Sequence, residues 1–202
     1  MTRHPSEPAR GARFVDSVVR VAAPPPVPTP LLISFAGLPA SGKSTIAKEV
    51  ARSLRAAHVR VDTIEVAVGR AEGTAAATNG WASPPGYEIA YDVAADQLRL
   101  GVPVVADSVN PLRESRDAWR SVGRAAGARV LEVEVLCSDP DEHRRRAEQR
   151  AIDVVGLIRP TWDDILERRY EPWERDRTVV DTFSITPDEA AEVVLTAVRG
   201  KS

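Results

Sequence analysis

Nine consecutive residues near the start of the chain have the types and the spacing needed to hold a chain of phosphate groups. They fit the pattern G-x-x-x-x-G-K-[ST] and are Gly37, Leu38, Pro39, Ala40, Ser41, Gly42, Lys43, Ser44 and Thr45. The glycines let backbone N–H groups approach phosphate oxygens where a side chain would block them. Lys43 supplies a positive charge for the β- and γ-phosphates, and Ser44 supplies a hydroxyl group for Mg²⁺. We therefore predict that this stretch binds a nucleoside triphosphate.

The segments on either side of this stretch support the interpretation. Residues 31–36 are almost entirely apolar and predict a buried strand, and residues 46–51 predict a helix. The N-terminus of a helix carries a partial positive charge that favours phosphate. The alternative is a glycine turn with a surface lysine, which we disfavour because the strand, the loop and the helix occur together.

Two further predicted strands each end in an aspartate. Residues 58–62 end in Asp62, and residues 102–107 end in Asp107. In an open α/β sheet, ligands bind at the carboxyl ends of the strands, so we expect both carboxylates near the phosphates. We predict that Asp62 accepts the proton of an acceptor hydroxyl and that Asp107 serves the Mg²⁺. The alternative for Asp62 is an N-cap of the helix predicted to begin at Thr63.

One dense cationic run, residues 143–150, contains four arginines. Arg146 and Arg150 are four positions apart, so a continuous helix would place their like charges side by side, which is unfavourable unless an anion lies between them. Because the guanidinium group matches phosphate geometry, we predict that Arg146 and Arg150 close over the phosphates. For Arg144 and Arg145 we prefer a solvated surface on which neighbouring acids pair with the arginines.

The acceptor of the phosphate is predicted to lie between Asp62 and the region from Thr74 to Tyr91. Residues 72–86 form a loop long enough to suggest a function. A helix over residues 87–100 follows it, because apolar and aromatic residues recur there at helical spacing. We name Tyr87, Tyr91 and Asn110 as candidate acceptor contacts. Tyrosines at this spacing are more often core residues, which is the alternative for the first two.

The rest of the chain alternates helices and strands, which predicts a parallel sheet covered on both faces. The further predicted elements are a helix opened by Pro111, a strand over 130–136, a charged helix from Asp139, a capping-box helix over 161–170, a strand over 178–181 and a helix over 187–199. Glu132 and Glu134 alternate with apolar residues, so we expect them to share a less buried face. This departs from the continuous apolar run typical of a central parallel strand.

Composition indicates one domain preceded by a tail. A chain of 202 residues with 43% hydrophobic content can form one core. Residues 1–30 hold seven of the sixteen prolines, which predicts a Pro-rich N-terminal tail. We assign residues 31–202 to the domain and residues 138–160 to a small lid within it.

Charge and cysteine content narrow the function classes. A net charge of −2 argues against a broad surface for nucleic acid, and the single cysteine leaves no intramolecular disulfide. The sequence has neither a membrane-spanning run nor the apolar core of a secretory signal, so we expect a cytoplasmic protein. The N-terminal arginines are typical of a transit peptide, but Glu7 and Asp16 argue against one. The sequence is compatible with a homodimer.

With these residues assembled, the sequence resembles the small P-loop kinases, a group that includes zeta toxins, chloramphenicol phosphotransferase, polynucleotide 5′-kinase, gluconate kinase and adenylylsulfate kinase. It is most similar to bacterial proteins labelled AAA-family ATPase or adenylylsulfate kinase-like. The resemblance covers residues 31–198 and implies a three-layer α/β/α fold with a five-stranded parallel sheet in the order 2-3-1-4-5 and a helical lid. It also maps the hydroxyl-activating aspartate onto Asp62, the strand-end aspartate onto Asp107 and the lid arginines onto Arg146 and Arg150.

The function implied is an ATP- and Mg²⁺-dependent kinase with an alcohol group of a small molecule as acceptor. Adenylylsulfate kinases show Asp-Gly-Asp followed by arginine after the second strand, whereas this chain has Val61-Asp62-Thr63-Ile64-Glu65. This difference argues against adenylyl sulfate as the acceptor. Two alternatives stay open, a nucleic-acid 5′-hydroxyl kinase, disfavoured by the acidic balance, and a nucleotide-regulated binding module without an acceptor.

Overall fold

A parallel five-stranded sheet lies at the centre of the computed structural model, which describes residues 29–73 and 84–200. The strands are β1 (Leu31–Ala36), β2 (Ala57–Arg60), β3 (Val104–Asp107), β4 (Arg129–Leu136) and β5 (Thr178–Asp181). Their spatial order is β2-β3-β1-β4-β5, and every pair is parallel. The order expected from the resemblance is therefore confirmed, and the carboxyl ends of the strands meet at one edge of the sheet.

Helices cover both faces of this sheet. They are α1 (Lys43–Leu54), α2 (Val61–Ala71), α3 (Pro84–Arg99), α4 (Arg113–Ala125), α5 (Pro140–Gln149), α6 (Trp162–Leu166) and α7 (Pro187–Gly200). On one face α1 and α7 pack over a core that includes Ile33 and Phe35, and on the other α3 and α4 pack around Leu32 and Trp119. Successive residues of β1 thus enter opposite cores, which explains its almost entirely apolar sequence.

The second strand is shorter than predicted, and this changes the position of Asp62. β2 ends at Arg60 and α2 begins at Val61, so Asp62 lies in the first turn of a helix and not at a strand end. Val61 is buried in the core between the sheet and α3. A short apolar run fits a buried strand and a buried helix start equally well, so periodicity could not separate the two.

Two other helix boundaries also differ from the sequence predictions. The predicted helix at Pro111 begins at Arg113, because Asn110 has a positive φ of 44° and redirects the chain before the helix. The capping box at Thr161 is confirmed, but α6 ends at Leu166 and does not reach Tyr170. The chain that follows is held by tertiary contacts, among them a hydrogen bond from the Tyr170 hydroxyl to Glu134 Oε1.

Glu132 and Glu134 on β4 are buried, so the predicted less buried face is wrong. Arg175 donates to both oxygens of Glu132 at 2.8 and 2.6 Å, and Arg177 donates to Glu134 at 2.7 Å. These arginines belong to residues 167–177, a segment without helix or strand that we call the strap. Carboxylates that are paired and hydrogen-bonded tolerate burial. The strap, and not solvent, therefore covers this face of β4.

Two sequence predictions lie largely outside the described residues. They are the Pro-rich tail over residues 1–30 and the loop over residues 72–86 with Trp81. The first residue described after that loop is Pro84, which opens α3 earlier than the predicted Tyr87. Among the described residues, no helix combines the length and the apolar character needed to cross a membrane.

Candidate active site

The phosphate-loop residues form a turn between β1 and α1 that depends on unusual backbone angles. Positive φ occurs at Gly37 (145°), Ala40 (66°) and Gly42 (91°). A Cβ on Gly37 would lie 2.2 Å from the carbonyl oxygen of Val135, so only glycine fits there. Gly42 immediately precedes α1, whose first backbone N–H groups have no partner within the helix. The turn and the helix end therefore offer several N–H groups to an anion, as the motif predicts.

Lys43, Ser44 and Asp107 meet where β1 and β3 lie side by side. Lys43 Nζ and Ser44 Oγ both donate to Oδ1 of Asp107, at 3.3 and 3.1 Å. Burial raises the pKa of Asp107, but Lys43, His58 and Arg60 outweigh that effect and hold the pKa well below its usual range. Asp107 is therefore a carboxylate at neutral pH, although it is only 1% exposed.

The same residues fit a magnesium site. Mg²⁺ prefers oxygen ligands and usually takes only one or two from protein carboxylates, with water and substrate phosphates supplying the others. The structure places a hydroxyl and a carboxylate oxygen 3.1 Å apart at Ser44 and Asp107. The second oxygen of Asp107 is buried and faces His58 Nε2 at 3.4 Å and Arg60 Nε at 3.7 Å, neither of which meets hydrogen-bond geometry. The donor set is therefore suited to this ion.

A cleft of about 560 Å³ opens above the phosphate loop. Phosphate-loop residues form one wall, and the other side chains include five further cations, Lys48, Arg60, Arg145, Arg146 and Arg150. Within the described part of the chain, Asp153 is the one acidic residue in this lining. Arginine and lysine in such excess favour a ligand with several negative charges, and the volume suits a small molecule.

Of the phosphate-loop residues, Gly37 and Pro39 support the cleft from outside its lining. The N–H group of Gly37 donates to the carbonyl of Val109 at 3.0 Å. The carbonyl of Pro39 accepts a 2.8 Å hydrogen bond from Nε2 of His143, which is buried on α5. Since α5 carries Arg146, this bond connects the arginine-bearing helix to the phosphate loop.

Arg146 and Arg150 both reach the cleft, but not as neighbours on one helix. α5 ends at Gln149, and Arg150 has the extended angles φ −59° and ψ 138°. Arg146 donates to Glu142 at 2.6 Å and to the side chain and carbonyl of Thr182 at 2.7 and 3.0 Å. Burial lowers the pKa of Arg150, and the nearby charge of Asp62 partly opposes this. The prediction that Arg146 and Arg150 lie side by side on one continuous helical face is therefore wrong. Arg146 reaches the cleft from α5, and Arg150 reaches it from the extended residue after α5.

Asp62 does not line the cleft but contacts Arg60, which does. Its Oδ2 accepts from Nη2 of Arg60 at 3.3 Å, and its side chain is 24% exposed. Arg150 and Arg168 also lie close enough to Asp62 for its charge to raise their pKa values. The N-cap of α2 is Arg60, so the alternative role of Asp62 as a cap does not match the geometry.

Sequence reasoning missed a charge cluster that joins Asp153, in the segment predicted to be a lid, to β2 and α1. Nη1 of Arg60 donates to both oxygens of Asp153 at 2.9 Å, and Lys48 Nζ also contacts that carboxylate. Burial raises the pKa of Asp153, but Lys48 and Arg60 lower it to about 2. Arg60 could have been found, because it lies in the predicted strand over residues 58–62, two positions before Asp62. Asp153 could not, because its partners lie far away in sequence.

Asn110 is fully buried, and its polar groups are used within the protein. Its Nδ2 donates to the carbonyl of Phe35 at 2.7 Å and to Ser34 Oγ at 3.3 Å. Its Oδ1 accepts from Nε1 of Trp119 at 3.1 Å, and its backbone N–H donates to the hydroxyl of Tyr87 at 3.1 Å. This placement favours a structural role over contact with an acceptor.

Tyr87 and Tyr91 line a second, smaller cavity of about 260 Å³ between α3 and α4. Arg168 of the strap and Ser115 of α4 also line it. The ring of Tyr91 packs edge-on against Trp119, with centroids 4.7 Å apart. Burial raises the pKa of Tyr87 to about 12, so its phenol is neutral. The tyrosines thus combine core packing with one face toward a cavity.

Residues 32–172 match the model of a family described as an AAA domain, AAA_33. The chain belongs to this family. The matched residues include the phosphate loop, Asp62, Asp107, Arg146 and Arg150. The match ends within the strap.

Named relatives and solved structures agree with this assignment. The chain is 29% identical over 178 residues to a protein of Aeropyrum pernix named "Probable adenylyl-sulfate kinase", covering 84% of this chain and 92% of that protein. The structure of the Mycobacterium tuberculosis APS kinase with AMPPNP and APS aligns with a TM-score of 0.61 at 22% identity, covering 85% of this chain and 99% of that one. A gluconokinase from Sinorhizobium meliloti aligns with a TM-score of 0.56 at 17% identity, covering 86% and 93%. The fold is therefore that of the small P-loop kinases.

Proposed function

We propose that this AAA_33 domain is an ATP- and Mg²⁺-dependent kinase that transfers the γ-phosphate to a hydroxyl group of a small molecule. The observation that carries the proposal is the meeting of Lys43, Ser44 and Asp107 beneath a cleft lined by cations. Phosphoryl transfer requires little covalent chemistry from the protein and depends on positioning and on neutralising charge. The names of the relatives, an adenylyl-sulfate kinase and a gluconokinase, support a small-molecule acceptor.

On the nucleotide side, the phosphate-loop N–H groups and Lys43 hold the β- and γ-phosphates. Ser44 and Asp107 would hold Mg²⁺, which neutralises phosphate charge when it is bound. Arg146 and Arg150 face the same cleft and stabilise the negative charge that spreads over the transferring group.

On the acceptor side, we assign Asp62 the role of general base. Its carboxylate can accept the proton of the attacking hydroxyl, and Arg60 fixes its direction through the 3.3 Å contact. The cavity lined by Tyr87, Tyr91 and Arg168 would receive the rest of the acceptor, since Arg168 lies close to both Tyr87 and Asp62. A volume of about 260 Å³ suits a metabolite of modest size.

Adenylyl sulfate is a poor candidate for this acceptor. The stretch from Val61 to Glu65 lacks the arginine that the resemblance places after the second strand, and Glu65 at its end is only 5% exposed. The side chain of Glu65 packs so closely on α3 that a Cβ on Gly86 would lie 2.4 Å from its Cγ. Residues 61–65 therefore contain no cation that could bind an anionic acceptor group.

The proposed function is tested by measuring acceptor-dependent ADP release over a panel of small hydroxyl compounds, with an oligonucleotide bearing a free 5′-hydroxyl included. We expect at least one small molecule to raise ADP release well above the acceptor-free rate, and chelation of Mg²⁺ to abolish the increase. Phosphorus NMR of the product should show a phosphate ester. Transfer only to the oligonucleotide would favour the nucleic-acid kinase. Tight Mg·ATP binding without transfer to any hydroxyl would favour a nucleotide-regulated binding module.

Replacing Arg150 with alanine is expected to lower turnover by about tenfold or more while changing Mg·ATP affinity less, because we assign Arg150 to the charge that develops on the transferring group and the phosphate loop to the bound nucleotide. The measurements are kcat and the Kd for Mg·ATP by calorimetry. Arg144→Ala is the matched control, since Arg144 is an exposed arginine of α5 paired with Glu148 at 2.8 Å. Equal losses of affinity and turnover in Arg150→Ala would argue for simple phosphate binding, and unchanged kinetics would remove Arg150 from the site.

A further inference from the structure

Arg116 on α4 is buried and connects two chain segments through their carbonyl groups. The residue is only 3% exposed. Nε donates to the carbonyl of Asn110 at 2.9 Å, and Nη2 donates to those of Pro111 at 2.8 Å and Glu171 at 2.6 Å. Nη1 reaches the carbonyl of Pro172 at 3.3 Å. One side chain thus joins the turn after β3 to the strap.

The shape of a guanidinium group makes this connection specific to arginine. Its planar fork presents five N–H donors in fixed directions, whereas lysine presents one compact charge. The guanidinium carbon of Arg116 lies 4.3 Å from the ring centre of Trp173 and 5.1 Å from that of Tyr170. Burial lowers the pKa of Arg116, but arginine stays charged, so the carbonyls and aromatic faces must compensate its lost hydration. Lysine cannot reproduce this set of contacts.

The turn that Arg116 holds borders the nucleotide site. Asn110 has a φ of 44°, a conformation that is strained for a residue with a side chain. Nearby, the carbonyl of Val109 accepts from the N–H of Gly37 at 3.0 Å, and the side chain of Asn110 donates to the carbonyl of Phe35. The entry to the phosphate loop is therefore bound directly to this turn, which also follows Asp107 in the chain.

The strap that Arg116 holds borders the acceptor cavity. The N–H of Glu171 donates to the carbonyl of Pro111 at 2.8 Å, beside the two carbonyls that Arg116 binds on the strap. Arg168, earlier in the strap, lines the cavity together with Tyr87. The hydroxyl of Tyr87 in turn accepts from the N–H of Asn110. Both walls of the cavity thus depend on the same turn.

We propose that Arg116 is a positioning residue for the whole catalytic edge. By fixing the strained turn at Asn110 against the strap, it holds the entry of the phosphate loop in place on one side and the walls of the acceptor cavity in place on the other. The inference goes beyond the proposed function, because the turn and the phosphate loop are connected whether or not an acceptor is phosphorylated.

The test measures amide hydrogen exchange by NMR in the full chain, comparing Arg116→Ala with the wild type. We expect exchange at Gly37 and Asn110 to rise by about tenfold or more, because the N–H of Gly37 donates to Val109 in the turn and the N–H of Asn110 donates from the turn to the Tyr87 hydroxyl. The N–H of Arg129, which bonds to Pro30 at the opposite end of the sheet, should exchange at its wild-type rate. Arg124→Ala, at an exposed arginine of the same helix, is the control and should change none of the three.

Two outcomes would overturn the proposal. Equal acceleration at all three amides would show that Arg116 contributes only to global stability, and unchanged exchange at Gly37 and Asn110 would show that it does not hold the turn. If Arg116→Ala does not fold, Arg116→Lys provides the same comparison, since lysine keeps the charge and loses the fork. The exchange measurement needs no turnover, so a wild-type protein that fails to phosphorylate any acceptor would contradict the proposed function and leave this test intact.

Discussion

Lys43→Ala is expected to lower phosphoryl transfer strongly and to weaken Mg·ATP binding by ~10–100-fold. The affinity estimate follows from the loss of one charge-assisted hydrogen bond to the phosphates. Turnover should fall further, by ~10²–10³-fold, because the same charge also stabilises the transition state. Calorimetric titration with Mg·ATP and acceptor-dependent ADP release measure the two effects separately. The fold should persist, because glycine angles and hydrogen bonds within the turn hold the phosphate loop.

The same substitution should change the response of the protein to acid. The folded-state pKa of Asp107 lies below its ordinary value, so this carboxylate stabilises the fold above its ordinary pKa and loses that contribution as the pH falls. Lys43 is the largest of the groups that lower this pKa, so Lys43→Ala should unfold at a higher pH than the wild type. Urea unfolding between neutral pH and pH 3 measures the difference.

Lys48→Ala is the comparison for Lys43→Ala, because Lys48 lines the same cleft but pairs with Asp153. It should keep part of the turnover. Its acid stability should change less than that of Lys43→Ala, because Asp153 is half-exposed and keeps its hydrogen bonds to Arg60. Unchanged Mg·ATP affinity in Lys43→Ala would contradict the assignment of the phosphate site itself.

Asp62→Asn is expected to lower phosphoryl transfer by ~10²–10⁴-fold, the usual contribution of a general base. Asparagine keeps the size of the side chain and loses the basic oxygen. Mg·ATP affinity should change little, because Asp62 lies behind Arg60 and not in the lining of the nucleotide cleft. Acceptor-dependent ADP release, calorimetry and a melting curve of the same variant provide the three measurements.

The structure predicts a small stability effect that separates this role from a structural one. Asp62 lies in the first turn of α2, where an acid interacts with the helix dipole by about 0.3–1 kcal/mol. Asp62→Asn should therefore melt only slightly below the wild type. Asp92→Asn, at an exposed aspartate of α3, should match the wild type in every measurement. If Asp62→Asn transfers phosphate at the wild-type rate, the proposed base is wrong and only the nucleotide site remains supported.

The nucleotide side of the site could be predicted from the sequence because its parts are neighbours in the chain. Gly37, Gly42, Lys43 and Ser44 lie within one turn, and the strand and helix around them are continuous with it. Asp107 is distant in sequence, but the carboxyl ends of parallel strands share one edge, so a single topological rule placed it beside Lys43. Local residue types together with that rule were sufficient.

The conformation of the residues around the proposed acceptor site depends on the tertiary structure. Val61 fits a strand or a helix by its own properties, and packing against α3 places it and Asp62 in the helix. The polar side chain of Asn110 suggested a contact with the acceptor, yet its hydrogen-bonding groups are occupied by Ser34, Phe35 and Trp119. Nothing local to these residues reveals such partners.

Charge pairing shows the same division most clearly. The sequence by itself determined that Glu132 and Glu134 alternate with apolar residues, from which both were expected on a less buried face. In the fold, Arg175 and Arg177 of the strap cover both glutamates, and Arg116 ties that strap to the turn after β3. These partners are between 43 and 55 residues apart, so no local pattern couples them. Only the burial of both segments against one sheet brings the charges together, because a buried carboxylate or guanidinium must find a partner where water is excluded.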